Sequence, residues 1–167
     1  MPAKFALIAI IFTVYGESAP TFTTATSLFP ASACEAEKNK IVEELKAPKI
    51  GSKAIADASG QCHSLSDDDL EKLLKNLEAA KASDFRESHF RTTAFSFFER
   101  PDLMVIPSLA LEEPGLCEKK GGMISDRLKS TRLEVGVIKE VRFNCVPLTR
   151  REANAIIVKG RAEQPAR

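Results

Sequence analysis

The sequence predicts an α+β fold in which three or four helices pack on an antiparallel sheet. Leucines recur at helical spacing in one segment, whereas apolar and polar residues alternate in another. These are the periodicities of an amphipathic helix and of a strand with one buried face. Four cysteines in a chain of 167 residues predict two disulfides. The length is enough for one ordinary domain, so we do not expect the core to depend on the disulfides.

The first 18 residues have the composition of a signal peptide. Lys4 precedes an uncharged and mostly apolar segment, residues 5–15, and small residues follow at Gly16 and Ser18. A membrane-spanning helix needs about 20 apolar residues, so this segment is too short to span a bilayer. We therefore expect residues 1–18 to be removed and the mature protein to be secreted, extracellular and without a transmembrane segment.

The next 14 residues differ from the rest of the chain in composition. Residues 19–32 are rich in Ser, Thr, Pro and Ala and carry no charge, which does not favour a hydrophobic core of their own. The sequence thus divides into a signal peptide (1–18), a flexible Ser/Thr/Pro leader (19–32) and a single globular domain (33–167).

Capping patterns predict two helices in the first half of this domain. Ser32 and Glu35 have the spacing of a capping box, and Pro48 would end the helix that follows. Ser66 precedes three aspartates and is the expected N-cap of a second helix over 67–81. The buried stripe of that second helix consists of four leucines, Leu70, Leu73, Leu74 and Leu77.

Two strands are expected in the second half. Phe90 to Phe98 is rich in Phe and Thr, which predicts a strand buried on both faces. From Leu133 to Cys145, apolar residues occupy alternate positions, which predicts one long strand with a bend at Gly136. We expect its residues Leu133 to Phe143 to belong to the sheet. Three prolines should break the region between these strands into short extended pieces: Pro101, Pro107 and Pro114.

A terminal helix is expected after the long strand. Thr149 and Glu152 form a second capping box, and Gly160 is the expected C-terminal glycine. Gly121 and Gly122 are interpreted as a turn.

Equal cysteine spacing suggests an internal duplication. Cys34 and Cys62 are 28 positions apart, as are Cys117 and Cys145, and the second pair lies 83 positions after the first. At this offset, helix-capping residues and several apolar residues also align. We therefore predict two degenerate repeats of about 83 residues, 33–110 and 111–167, with Cys34 paired to Cys62 and Cys117 to Cys145.

The sequence contains no recognisable catalytic, cofactor-binding or metal-binding motif. His63 and His89 are the only histidines, and neither has partners at the spacing of a zinc site. No serine lies in a G-x-S-x-G turn, and no phosphate-binding glycine loop is present. The three aspartates 67–69 suit the start of a helix. We therefore predict a non-enzymatic protein without a cofactor, although a hydrolase without a known motif stays open as a third interpretation.

Phenylalanine supplies all the aromatic surface after residue 15. Phe95, Phe97 and Phe98 have arginines nearby in the sequence, but Phe without Tyr or Trp indicates a core more than a nucleic-acid stacking surface. We expect no nucleic-acid partner. Strands lined with Phe beside leucine-rich helices could also enclose an apolar pocket, so an extracellular carrier of a lipid or another small apolar ligand is the second interpretation.

Charge is divided unevenly along the chain. Residues 19–118 contain 11 Lys and Arg against 17 Asp and Glu, a net charge of −6, whereas residues 119–167 contain 12 against 5, a net charge of +7. Arg142, Arg150 and Arg151 are the candidate anion-binding residues, because arginine grips carboxylates and phosphates with a planar fork. The leading hypothesis is a secreted binding protein whose partner is an unidentified extracellular protein or a polyanion.

Overall fold

The structure, a computed structural model, describes residues 3–47, 54–82, 88–98, 103–112, 114–128, 130–133 and 136–163. The α+β class is confirmed, with helices on two antiparallel sheets where the sequence predicted one. The helices are α1 (Cys34–Lys46), α2 (Asp67–Ala82), α3 (Pro114–Leu128) and α4 (Arg150–Ala162). The strands are β1 (Phe5–Val14), β2 (Thr21–Thr24), β3 (Phe29–Pro30), β4 (Ile55–Leu65), β5 (Ser88–Phe97), β6 (Met104–Glu112), β7 (Arg132–Leu133) and β8 (Gly136–Leu148).

Strand β1 is the centre of the first sheet, sheet A. It pairs antiparallel with β4 along its whole length and with β2 and β3 on its other side. Residues 5–10 are all buried, as expected for a central strand covered on both faces. The apolar segment that predicted a signal peptide therefore forms a core strand. Removal of residues 1–18 stays a prediction, and it would take the central strand out of sheet A.

The segment expected to be a flexible leader also belongs to sheet A. Strand β2 pairs with Ala9 to Phe12, β3 pairs with the start of β1, and a short 3-10 helix, Ala31–Ala33, leads into α1. Phe22 and Leu28 are buried, with 3 % and 2 % of their surface exposed. The absence of charge in 19–32, which indicated disorder, instead reflects burial against β1.

Sheet B has the strand order β6-β5-β8-β7. The expected strand at Phe90 to Phe98 is present as β5, one of its two central strands. The long strand expected from Leu133 is divided, because β7 pairs back on the start of β8 at Gly136 and Val137. Gly136 has φ 145, a conformation that favours glycine, at the expected bend. Pro107 does not break β6 and lies beside a register shift between β5 and β6.

The two sheets have the same pairing register 83 positions apart. Phe5 pairs with Leu65 in sheet A, and Ser88 pairs with Leu148 in sheet B. Ala9 likewise pairs with Thr24, and its counterpart Thr92 pairs with Pro107. Residues 83 positions apart are called equivalent below. Their common origin by duplication stays a prediction.

The sheets stack face to face between α1 and α3. Ala9 and Phe22 of sheet A pack with Ala94 and Val105 of sheet B, and the buried hydroxyls of Thr24 and Thr92 are 2.6 Å apart. On the other face of sheet A, side chains of β1 pack against α1. Phe95 and Phe97, which alternate with Ala94, pack near the end of α3. The layers are therefore α1, sheet A, sheet B and α3.

Helices α2 and α4 close one end of this sandwich. The four leucines predicted as a buried stripe of α2 are at most 3 % exposed and share a cluster with Phe5, Leu148 and Ile156. The Ser66 cap is confirmed, since its Oγ accepts a hydrogen bond from Asp69 N at 3.1 Å. No helix in the described part of the chain is long and apolar enough to span a bilayer.

The predicted disulfide pairing is confirmed. Cys34 is bonded to Cys62 and Cys117 to Cys145, with Cα–Cα distances of 6.2 and 6.1 Å. The first bridge joins α1 to β4 and the second joins α3 to β8, so each disulfide fastens an outer helix to its sheet.

Two expected helix boundaries are wrong. The N-cap of α1 is Ala33, without a side-chain hydrogen bond, so Ser32 and Glu35 do not form a capping box. Helix α4 continues past Gly160 to Ala162, and a Cβ at Gly160 would lie 2.7 Å from a Leu74 methyl carbon. Gly160 is therefore needed for close packing of α4 on α2.

Gly121 and Gly122 lie inside α3, so their interpretation as a turn is wrong. A Cβ at Gly121 would lie 2.5 Å from the Phe143 ring, whereas a Cβ at Gly122 would meet no atom within 4 Å. We expect Gly121→Ala to lower the free energy of unfolding by about 1–3 kcal/mol through overpacking. Gly122→Ala should raise it by about 0.5–1 kcal/mol through helix propensity. Denaturant unfolding of both variants tests this, and equal effects would contradict the packing of Gly121 on Phe143.

Candidate functional site

The candidate site is built at the first turn of α4. Thr149 Oγ1 accepts a hydrogen bond from Glu152 N at 3.1 Å, and Glu152 Oε1 accepts one from Thr149 N at 2.9 Å. This reciprocal pair is the capping box that the sequence predicted. It fixes Arg150 and Arg151 as the first two helical residues, and both are exposed.

Glu152 also accepts a hydrogen bond from the Thr26 hydroxyl. Burial raises the pKa of Glu152, but hydrogen bonds from Thr26 and Thr149 together lower it further, so the pKa lies below its usual value. The carboxylate is thus ionised at neutral pH and engaged with the cap. Sequence reasoning missed Thr26, because the contact joins residues 126 positions apart.

Equivalent positions of α2 and α4 carry opposite charges. Arg150 and Arg151 are equivalent to Asp67 and Asp68, which begin α2. The amino end of a helix carries partial positive charge, so aspartate is favourable there and arginine is unfavourable. The two helices therefore begin at equivalent positions of the fold but with opposite charges.

Arg142 does not join these two arginines. Its Nη1 donates a hydrogen bond to the Pro20 carbonyl at 2.9 Å, and its guanidinium carbon lies 5.1 Å from the centre of the Phe22 ring. It precedes the last residue of β8 by six positions, which is about 20 Å of strand. Arg142 therefore links β8 to the chain around β2, away from the start of α4.

Arg161 neutralises acidic residues of α2. Its Nη1 lies 2.6 Å from Glu71 Oε2, and its Nη2 pairs with Glu78. Hydrogen bonds with Glu78 and Glu71 raise the pKa of Arg161. Part of the charge division along the sequence is thus neutralised where α4 packs on α2.

His63 has the only buried side-chain nitrogen or oxygen atom without a hydrogen-bond partner in the described part of the chain. Its Nε2 is buried without a hydrogen-bond partner. Burial lowers the pKa of His63, and a hydrogen bond with the backbone of Val105 raises it by less, so the pKa lies below 6.5. The equivalent residue in β8 is the apolar Val146, which is 8 % exposed.

We expect the protein to lose stability as the pH falls below about 6.5, the ordinary pKa of histidine. A folded-state pKa lower than the unfolded one means that the unfolded chain binds the proton first. The contribution of neutral His63 to the free energy of unfolding is thus complete above the unfolded-state pKa and is lost on acidification. His63→Val, which copies Val146, should reduce this decline in denaturant unfolding. If stability still fell with pH in His63→Val but no longer fell in His89→Gln, the effect would belong to His89.

Within the described ranges, no group of three or more His, Cys, Asp and Glu side chains could hold a metal ion. All four cysteines are in disulfides. The side chain of His89 lies outside the described residues.

Comparison with known proteins identified no relative. No protein-family model matches the chain. No curated protein and no solved structure matches it either. The candidate site therefore depends on its own geometry.

Proposed function

We propose that this chain is a secreted, non-enzymatic protein that binds an acidic partner through Arg150 and Arg151. The observation that supports the proposal is the charge inversion between the starts of α4 and α2. Asp67 and Asp68 interact favourably with the helix dipole at the equivalent positions, so the fold does not require arginine there. The helix dipole disfavours cations at the start of α4, so the charge inversion favours a role in binding.

The chemistry of arginine suits an acidic polymer. A guanidinium presents donors in a planar fork that matches carboxylate, sulfate and phosphate groups. Two exposed arginines in successive positions can reach neighbouring anionic groups of one chain. A sulfated polysaccharide or an acidic protein segment would both present such groups.

Substitution of both arginines by aspartate is expected to separate binding from stability. Arg150→Asp with Arg151→Asp should abolish retention on heparin at low salt, where exposed charges are least screened. The same variant should stay folded, because the helix dipole then favours both side chains. Heparin affinity chromatography and denaturant unfolding measure the two effects.

A variant with the same change in charge on α2 provides the control. Lys72→Glu with Lys75→Glu alters two exposed lysines and should keep heparin retention. Equal loss in both variants would mean that net charge, and not the start of α4, decides binding. Failure of the folded wild-type protein to bind heparin at low salt would remove polyanion binding altogether.

A further inference from the structure

Helix α3 has an exposed face that is both apolar and basic. Leu116 is 42 % exposed and Met123 is 49 % exposed, so two large apolar side chains lie on the outer side of this helix. Lys119, Lys120 and Arg127 are also exposed. These five residues are called the α3 face.

Helical geometry places the five residues together. At about 100° per residue, they fall within a sector of about 100°. Cys117 and Gly121 lie on the side turned to sheet B, where Cys117 is bonded to Cys145 and Gly121 packs on Phe143. The α3 face is therefore a convex stripe beside the packing surface.

The equivalent face of α1 has a different character. Leu116 and Met123 correspond to Ala33 and Lys40, and the three cations of the α3 face correspond to Ala36, Glu37 and Glu44. The same fold thus positions an outer helix on sheet A without a large exposed apolar side chain and without net positive charge at these sites. Packing on the sheet therefore does not by itself require Leu116 and Met123 at these positions.

We propose that the α3 face binds the surface of an anionic phospholipid membrane. Leu116 and Met123 would enter the boundary between head groups and acyl chains, while Lys119, Lys120 and Arg127 would meet acidic head groups. Exposed Asp126 lies at the border of the face and offsets one of these cations, and Glu118 lies farther round the helix.

The two apolar side chains distinguish a membrane from a soluble polyanion. A sulfated polysaccharide offers charge to the lysines and arginine but no apolar phase to Leu116 and Met123. A convex stripe also suits a flat, deformable surface, whereas a specific protein partner would need a surface of complementary shape. This inference concerns a surface separate from Arg150 and Arg151 and does not depend on the proposed function.

Flotation with lipid vesicles tests the inference. The full chain should bind vesicles of phosphatidylcholine mixed with phosphatidylserine, should not bind phosphatidylcholine alone, and should dissociate as salt rises. Leu116→Ser with Met123→Ser should weaken binding at least about tenfold by removing apolar contact. Lys119→Glu with Arg127→Glu should weaken it by about fivefold or more per residue.

Val158→Ser is the matched control, because Val158 is 70 % exposed on α4 and lies outside the α3 face. It should bind like the wild type, and all variants should unfold at the wild-type midpoint. Absence of vesicle binding, equal binding to neutral vesicles, or full binding by the Leu116 and Met123 variant would each overturn the inference. Dependence on Arg150 and Arg151 alone would also overturn it, while leaving the proposed function intact.

Discussion

Leu7→Ala is expected to lower the free energy of unfolding by about 2–5 kcal/mol, as for other large-to-small changes in a core. Leu7 is fully buried in β1, and it shares a cluster with Leu65 of β4, Leu73 of α2 and Ile156 of α4. Truncation would leave a cavity where α2 and α4 meet sheet A. Denaturant unfolding of the purified variant measures this loss.

Tyr15→Ala provides the matched control in the same segment. Tyr15 is 67 % exposed, so its removal should change the free energy of unfolding by less than about 0.5 kcal/mol. If residues 1–18 were removed as a signal peptide, the two variants would yield the same mature chain. Identical stabilities would therefore contradict the role of β1 in the core.

Truncation of the chain extends this prediction. A protein that begins at Ala19 lacks β1, and β2, β3 and β4 then lose their common partner. We expect such a chain not to reach the fold described here, so N-terminal sequencing of the secreted protein decides whether the predicted removal of residues 1–18 and this fold occur together. A cooperative unfolding transition of the chain that begins at Ala19 would refute this expectation.

Residues 5–14 show why a sequence pattern alone leaves two interpretations of such a segment. A continuous apolar run is the composition both of a signal-peptide core and of a strand covered on both faces, and periodicity does not separate them. The signal that could have separated them is the offset of 83 positions, which aligns Phe5–Val14 with Ser88–Phe97. The repeats predicted from the cysteine spacing begin at residue 33 and therefore leave residues 5–14 out.

Sequence patterns predicted the features that depend on residues close together in the chain. Ser66 and Thr149 cap α2 and α4 as expected, because capping depends on residues within one turn. Arg142 shows the limit, since its contact with Pro20 joins positions 122 apart, and no spacing rule links such residues. Gly121 shows the same limit, because its proximity to Phe143 depends on how α3 lies on sheet B.

Removal of either disulfide is expected to cost about 3–4 kcal/mol of stability in the chain-entropy model. The prediction applies equally to Cys34→Ala with Cys62→Ala and to Cys117→Ala with Cys145→Ala. The two bridges have the same sequence separation, 28, so they restrict the unfolded chain to the same degree. Denaturant unfolding of each oxidised variant gives the loss directly.

Equality of the two losses is the informative result, because the native surroundings of the bridges differ. Cys34 packs with Ile8 and Ile10 in the apolar layer between α1 and sheet A, whereas α3 carries the exposed α3 face on its outer side. A loss that depended on native packing would differ between the two variants. Equal losses would place the effect in the unfolded chain, as loop entropy requires.

Loss of both disulfides together should remove a large part of the free energy of unfolding. The summed cost of about 6–8 kcal/mol is comparable to the whole stability of an ordinary domain, about 5–15 kcal/mol. Each bridge fastens a different helix to a different sheet, so the two costs should add. Thermal unfolding of the reduced protein against the oxidised protein measures the combined effect. A reduced protein that unfolds at the oxidised midpoint would show that packing alone holds α1 and α3 on their sheets.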